Sequence, residues 1–230
     1  MTQITLASLE GRIGAVRESV EFAAERVGRQ LSDVTIVAVS KTVDRETMQA
    51  AYDLGLRHFG ENRVQDARQK LAEPMPADCT LHLIGQLQTN KAGHAVDLFN
   101  VIESVDRQSL IVELEKQSAK RGITLPVLLQ VNVAGEDQKA GCSPDDVDAL
   151  VNQIVGSDHL ALRGLMTIAP LVDDSEEVRP VFRRLREIRS RVQDDSGLKL
   201  PLLSMGMTND FPVAIEEGAT HVRIGRAIFG

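Results

Sequence analysis

Along the 230-residue chain, short apolar runs alternate with segments whose apolar residues recur at helical spacing. The first segment, about Leu6 to Gly28, carries Ile13, Val16, Val20, Ala23, Ala24 and Val27 with Glu and Arg between them. That spacing predicts an amphipathic helix ended near Gly28. Next comes Thr35-Ile36-Val37-Ala38-Val39-Ser40-Lys41-Thr42, where apolar or β-branched residues run into a polar triplet. It reads as a buried strand that delivers a lysine at its C-terminal end. A helical period returns from Asp44 to Tyr52, and Gly55 is placed to stop it.

The same strand-then-helix unit then recurs. Strand-like runs fall at His58-Phe59-Gly60 (ending in Glu61-Asn62), Leu81 to Gly85, Val101 to Ser104, Val127 to Val133, Leu162 to Thr167, Leu202 to Met207 and His221 to Gly225. The helices between them are expected at Val64 to Leu71, just after Lys91, Ser109 to Arg121, Pro144 to Val155, Glu176 to Gln193 and Asn209 to Glu217. With the lysine strand this makes eight alternating units, the pattern of a (β/α)8 TIM barrel. About 250 residues is typical of that fold. The chain is therefore expected to be one domain over 1–230, an N-terminal helix (about 6–28) on a barrel (about 34–230), with no room for a second. A doubly wound open sheet is the alternative, but Gly85 and Gly164 stand alone and no GxGxxG occurs.

Composition narrows the function classes. Hydrophobic residues make up 43%, enough for a sizeable core. Aromatics are only 3%, with no Trp and one Tyr, so stacking platforms for single-stranded nucleic acid are missing. The net charge of -7 is spread without blocks, which argues against nucleic acid or an anionic membrane as a partner. Cys79 and Cys142 form neither a metal knuckle nor a disulfide framework, favouring a reducing, cytoplasmic setting. His58, His82, His94, His159 and His221 show no metal-binding spacing, and His82 reads as a packed strand histidine. The start Met1-Thr2-Gln3-Ile4-Thr5 lacks a basic leader with a long apolar core, and no run approaches a membrane span.

Candidate chemistry centres on Lys41. Taken alone it reads first as a strand-end lysine reaching solvent; in a barrel, however, that end of the strand faces the active site. An amine in a partly dry pocket loses some preference for the charged form and can attack an aldehyde. Phosphate sites in barrels are built from the loops after strands 7 and 8. Here those loops carry Ser204-Met205-Gly206-Met207-Thr208-Asn209 and Arg223-Ile224-Gly225-Arg226-Ala227. Gly206 and Gly225 permit close backbone approach, and Ser204 and Thr208 add hydroxyls. Each glycine alone is explained by a tight turn; their pairing favours a phosphate site. A ligand with both an aldehyde and a phosphate, such as pyridoxal 5′-phosphate (PLP), would bridge strand 1 and strand 8.

The chain closely resembles the pyridoxal-phosphate homeostasis proteins of the YggS/PROSC type, which look like the barrel domain of alanine racemase standing alone. The likeness rests on Ala38-Val39-Ser40-Lys41, Phe59-Gly60-Glu61-Asn62, His82-Leu83-Ile84-Gly85 through Gln88-Thr89-Asn90-Lys91, and Gln130-Val131-Asn132. Lys139-Ala140-Gly141, Arg163-Gly164-Leu165-Met166, Ser204-Met205-Gly206-Met207 and Val222-Arg223-Ile224-Gly225 complete it. The resemblance implies that Lys41 holds PLP as a Schiff base, that Ser204, Gly206 and Gly225 hold its phosphate, and that Arg223 faces the pyridine nitrogen. It also implies that Asn62, Asn90 and Met166 line the pocket. Arg226 departs from the Thr or Ser of many relatives and reaches the phosphate only if it turns inward. Glu61 is a candidate proton acceptor but reads more simply as a helix cap or a partner of Arg63; Lys91 and Lys139 read as exposed loop lysines.

The implied role is storage, buffering or delivery of vitamin B6 cofactor in the cell, with apo-enzymes as recipients, and without efficient catalysis. Resembling racemases take their second base, a tyrosine, with an additional β domain. Here Tyr52, the sole tyrosine, falls on the outer helix. A racemase-like PLP enzyme and a cofactor-free Schiff-base aldolase remain the alternatives. Without that β domain a monomer is expected.

Overall fold

In a computed structural model describing residues 5–136 and 138–230, eight strands pair in parallel and close on themselves in chain order. The strands are β1 (Thr35–Val39), β2 (His58–Glu61), β3 (Thr80–Leu83), β4 (Val101–Val105), β5 (Leu125–Gln130), β6 (Leu160–Met166), β7 (Leu202–Met207) and β8 (His221–Ile224). Closure is made by β1 and β8, with Thr35 opposite His221 and Val37 opposite Arg223. An open doubly wound sheet is thereby excluded. The expectation drawn from the N-terminal residues 1–4 falls outside the described part.

The helices are α1 (Leu6–Glu25), α2 (Arg45–Asp53), α3 (Val64–Lys70), α4 (Ala92–Leu98), α5 (Gln108–Arg121), α6 (Val147–Val155), α7 (Arg179–Ser196), α8 (Phe211–Glu216) and α9 (Arg226–Phe229). Helix α1 precedes the barrel and packs on α8 and α9, burying Leu9, Ile13, Val16, Val20, Ala23 and Ala24, the stripe expected from the spacing. Val27 falls beyond its end and stays exposed. The charged helix expected from Glu176 begins instead as a 3-10 turn over Ser175–Val178, and α7 starts at Arg179. Pro180 accounts for the break, since it lacks an N–H and is tolerated only in a first helical turn. Strand β5 ends at Gln130 rather than Val133, and Val131 makes only an isolated bridge to Cys142.

Outside the sheet, the helices bury an apolar layer that includes Met48, Phe182 and Leu114. Inside, the filling is not the branched apolar stack usual for such barrels. The Glu103 carboxylate on β4 touches the Ser204 hydroxyl on β7, and these strands are not neighbours, so the contact crosses the lumen. Polar side chains of β2, β3, β4, β7 and β8 meet there. The C-terminal ends of β1, β7 and β8 converge above this layer and carry the site.

Candidate functional site

A cleft of about 560 Å³ opens at the C-terminal ends of β1, β7 and β8. Of the residues singled out from the sequence, Lys41, Thr208, Arg223, Gly225 and Arg226 border it. Lys41 stands in the turn that follows β1, because the polar triplet after Val39 leaves the sheet one residue before it. The preceding residue, Ser40, is buried and fixed at every polar atom. Its N–H donates to Gly60 O (3.0 Å), and its carbonyl accepts from Val43 N–H (3.1 Å) and Lys70 Nζ (2.6 Å). Its hydroxyl donates to Glu61 Oε1 (2.6 Å), which also receives Lys70 Nζ at 2.7 Å. Lys41 therefore projects from a rigid base, yet its own side chain is exposed. The amine does not stand in the partly dry pocket expected from the sequence, since the barrel wall ends at Val39, below the turn.

Arg223 has the opposite setting. It lies on β8, is 3% exposed, and forms part of the cleft floor. Nη1 donates to Ser204 Oγ (2.6 Å) and Nη2 to Thr167 O (2.7 Å). Nε has no hydrogen-bond partner within the protein. Burial pulls the guanidinium pKa down from its ordinary value, against the pull of Glu103 and Asp210.

The loop after β7 supplies Met207, Thr208, Asn209 and Asp210 to the cleft wall. Asp210 is buried, and its Oδ1 accepts the Met207 N–H at 2.5 Å, closing the turn that precedes α8. Desolvation raises its carboxyl pKa, against the lowering effect of that hydrogen bond and of Arg223. Helices α8 and α9 both start at this wall, and the first N–H groups of a helix have no intrahelical acceptor. Arg226 spans the two loops, its Nη2 donating to Asn209 Oδ1 at 2.7 Å while the side chain stays exposed.

Three assignments drawn from the resemblance take a different form. Ser204 is fully buried, and its hydroxyl is spent between Arg223 and Glu103, so no donor of that side chain is free for a phosphate. Gly206 is buried at φ +92, and a Cβ there would come within 2.6 Å of Ala214 Cβ. Packing against α8 demands that glycine. At Gly225 a Cβ would sit 3.2 Å from Val39 Cβ, so close approach to β1 is its reason. Of the expected lining residues, Asn62 borders a second cleft with Gln86, Gln88 and Lys91; Met166 is fully buried, and Asn90 is exposed and borders neither cleft. Tyr52 lies on α2 with its hydroxyl on Asp78, away from the cleft.

Sequence reasoning missed the polar layer under Arg223. His82 Nδ1 lies 2.7 Å from Glu103 Oε1, Ser204 Oγ 2.5 Å from Glu103 Oε2, and His58 Nδ1 3.0 Å from His82 Nε2. Burial alone would push the Glu103 carboxyl up. Hydrogen bonding and attraction from His82, then the Arg223 charge and the Ser204 hydroxyl, outweigh it and bring it down to about 2. Desolvation lowers His58 and His221 to about 4. The available signal was Glu103 itself, a charge inside the apolar run Val101-Ile102-Glu103-Ser104-Val105. Lys70 was missed for the opposite reason, since it looks like an ordinary helix-end lysine.

The donor set fits a group bearing an aldehyde and a phosphate. A primary amine stands at the mouth, a fixed cation forms part of the floor, and the Thr208 hydroxyl lies along one wall. Among the described residues no cluster suited to a metal ion occurs, and no helix is long and apolar enough to cross a membrane.

Comparison with known proteins gives the family and the fold. The family described as alanine racemase, N-terminal domain, matches residues 12–230. A pyridoxal phosphate homeostasis protein of Aquifex aeolicus is 42% identical over 219 residues, covering 95% of this chain and 96% of its own. One of Pseudomonas aeruginosa is 39% identical over 225 residues, covering 98% and 96%. The solved structure of PipY from Synechococcus elongatus with PLP bound is 36% identical and superposes with a TM-score of 0.84, covering 96% of this chain and all of that one.

Proposed function

The chain belongs to the alanine racemase N-terminal domain family and, with its curated relatives, to the pyridoxal phosphate homeostasis proteins; from that premise we propose that it binds PLP in the cleft between Lys41 and Arg223 and serves PLP homeostasis. The observation that carries the reading is that an exposed lysine and a buried, immobilised arginine border one cleft of about 560 Å³. When bound, the cofactor supplies an aldehyde with which a primary amine condenses.

Each residue then has a task. Lys41 presents its amine from a turn anchored by Ser40, and its exposure keeps it reachable by solvent and by other amines, which suits reversible capture. Arg223 would hold the ring nitrogen side of the cofactor through its guanidinium. A cation there disfavours protonation of that nitrogen and weakens the ring as an electron sink, so carbanion chemistry is restrained. Thr208 and Arg226 would hold the phosphate through their side-chain donors. Gly206 and Gly225 shape the wall by packing. By the same reading residues 1–230 act as one PLP-binding unit, a cytoplasmic monomer that stores or hands over the cofactor to apo-enzymes.

An absorption spectrum of the purified protein tests the proposal. The protein as isolated, or after addition of PLP, shows the absorbance of a lysine-bound cofactor, and borohydride fixes it to Lys41. A colourless protein indifferent to added PLP would overturn the reading.

A further inference from the structure

The side chains beneath Arg223 form one unbranched chain of hydrogen bonds across the lumen. It runs from Arg223 to Ser204 (2.6 Å), Glu103 (2.5 Å), His82 (2.7 Å) and His58 (3.0 Å), drawing on β8, β7, β4, β3 and β2. All but His58 are buried, and His58 borders a separate hollow at the opposite end of the barrel with Arg17, Leu31 and Arg57. The chain therefore connects the cleft floor to the far mouth.

Donor chemistry orders the protons along it. A guanidinium has donors only, so the Ser204 oxygen must accept from Nη1. The Ser204 proton then has one place to go, Glu103 Oε2. Glu103 is an ionised acceptor, so His82 must donate from Nδ1. The 3.0 Å contact between His58 Nδ1 and His82 Nε2 holds one proton, on one ring or the other.

We propose that Glu103 is the positioning residue of the cofactor site: it fixes the Arg223 guanidinium through Ser204, while His82, protonated on Nδ1 and backed by His58, orients Glu103 from below. The assignment explains why β4 carries a carboxylate where an apolar residue would fill the barrel at lower cost. Burying an ion costs several kcal/mol unless it is paired and hydrogen-bonded. Here both its oxygens are engaged. It rests on the cofactor reading in one respect, the placement of the ring nitrogen beside Arg223.

The test separates the two. Nitrogen-15 NMR of the ligand-free protein reads the tautomers directly, and His82 is expected to carry a proton on Nδ1. A His82 whose Nδ1 is bare would overturn the relay. Ser204→Ala removes one hydroxyl and Glu103→Gln removes the charge; the first carries the test should the second fail to fold. Both are expected to weaken PLP binding about 10- to 100-fold, the worth of a hydrogen bond to a charged group. They should also move the absorption band of bound PLP, which a merely structural role would leave in place. Unchanged affinity and an unchanged band in Ser204→Ala would overturn the positioning role. If the wild-type chain fails to bind PLP, the cofactor reading and the positioning role fall together, while the tautomers still decide the relay.

Discussion

The two cations of the cleft are held in contrasting ways. Lys41 is exposed on a turn whose preceding residue is pinned from three sides, so the backbone is fixed and the side chain free. Arg223 is sealed in a strand, with both terminal nitrogens bonded and Nε left over. An amine that must reach an incoming aldehyde needs conformational reach. A guanidinium that holds a ring in place acts best when it has little freedom to lose. One cleft thus combines an exposed amine with a buried, hydrogen-bonded guanidinium.

Substituting each cation separates the two designs most sharply. Lys41→Ala is expected to abolish borohydride-fixable PLP while leaving stability within about 0.5 kcal/mol, as for other exposed positions away from special features. Arg223→Met should both weaken PLP binding and cost about 3–5 kcal/mol, because it strands the buried Glu103 carboxylate. Urea unfolding and PLP titration on the same samples measure both. Equal stability losses in the two variants would break the comparison.

The base under Lys41 comes next. Glu61 is 1% and Lys70 10% exposed at the side chain, so Lys70→Met leaves a buried carboxylate without its partner. A loss of about 3 kcal/mol is expected, with most of it recovered in the double variant Glu61→Met/Lys70→Met, where no buried charge remains. A single variant as stable as the wild type would show that the pair does not hold the turn.

Acidification probes the layer under Arg223. His58 and His221 are held near 4 against an ordinary 6.5. Between those values the unfolded chain binds protons that the folded chain refuses. Their contribution is complete above about pH 6.5 and is lost as the pH falls toward 4, with a slope approaching two protons. Glu103, lowered from 4.5 to about 2, adds stability that is present above the first value and lost as the pH falls toward the second. Urea midpoints across this range should fall steadily, and His58→Gln should remove about one proton from the slope. A flat profile contradicts the buried imidazoles.

The smallest effect is expected at the rim. Arg226 is exposed and tied only to Asn209, so Arg226→Thr should weaken PLP binding by no more than about fivefold, with the difference shrinking as salt rises. A loss as large as that of Arg223→Met would mean that the rim arginine turns inward.

Much of the architecture was legible in the sequence. Apolar spacing located α1 and the alternating units, because a strand buried on both faces and a helix buried on one leave different periods in the chain. Gly122 and Gly197, both at positive φ, end α5 and α7 as glycine does at helix C-termini. Lys41 and Arg223 were placed at one cleft for a similar reason, since a barrel brings the C-terminal ends of its strands to one face. The charged helix was misjudged at its start, where Pro180 mattered more than the run of polar residues.

Which side chains meet across the lumen could not be read in this way. Glu103 and Ser204 are 101 residues apart and lie on strands that do not pair, so only barrel closure puts them 2.5 Å from each other. The same closure took the Ser204 hydroxyl from the phosphate and gave it to Arg223, and packing against α8 and β1 dictated Gly206 and Gly225. The sequence by itself determined the order of elements and the placing of Lys41 and Arg223 at strand ends, because periodicity and strand-end position are local properties. The tertiary structure alone decided which polar groups neutralise one another, because hydrogen bonds and buried charges are satisfied by whatever lies nearest in space.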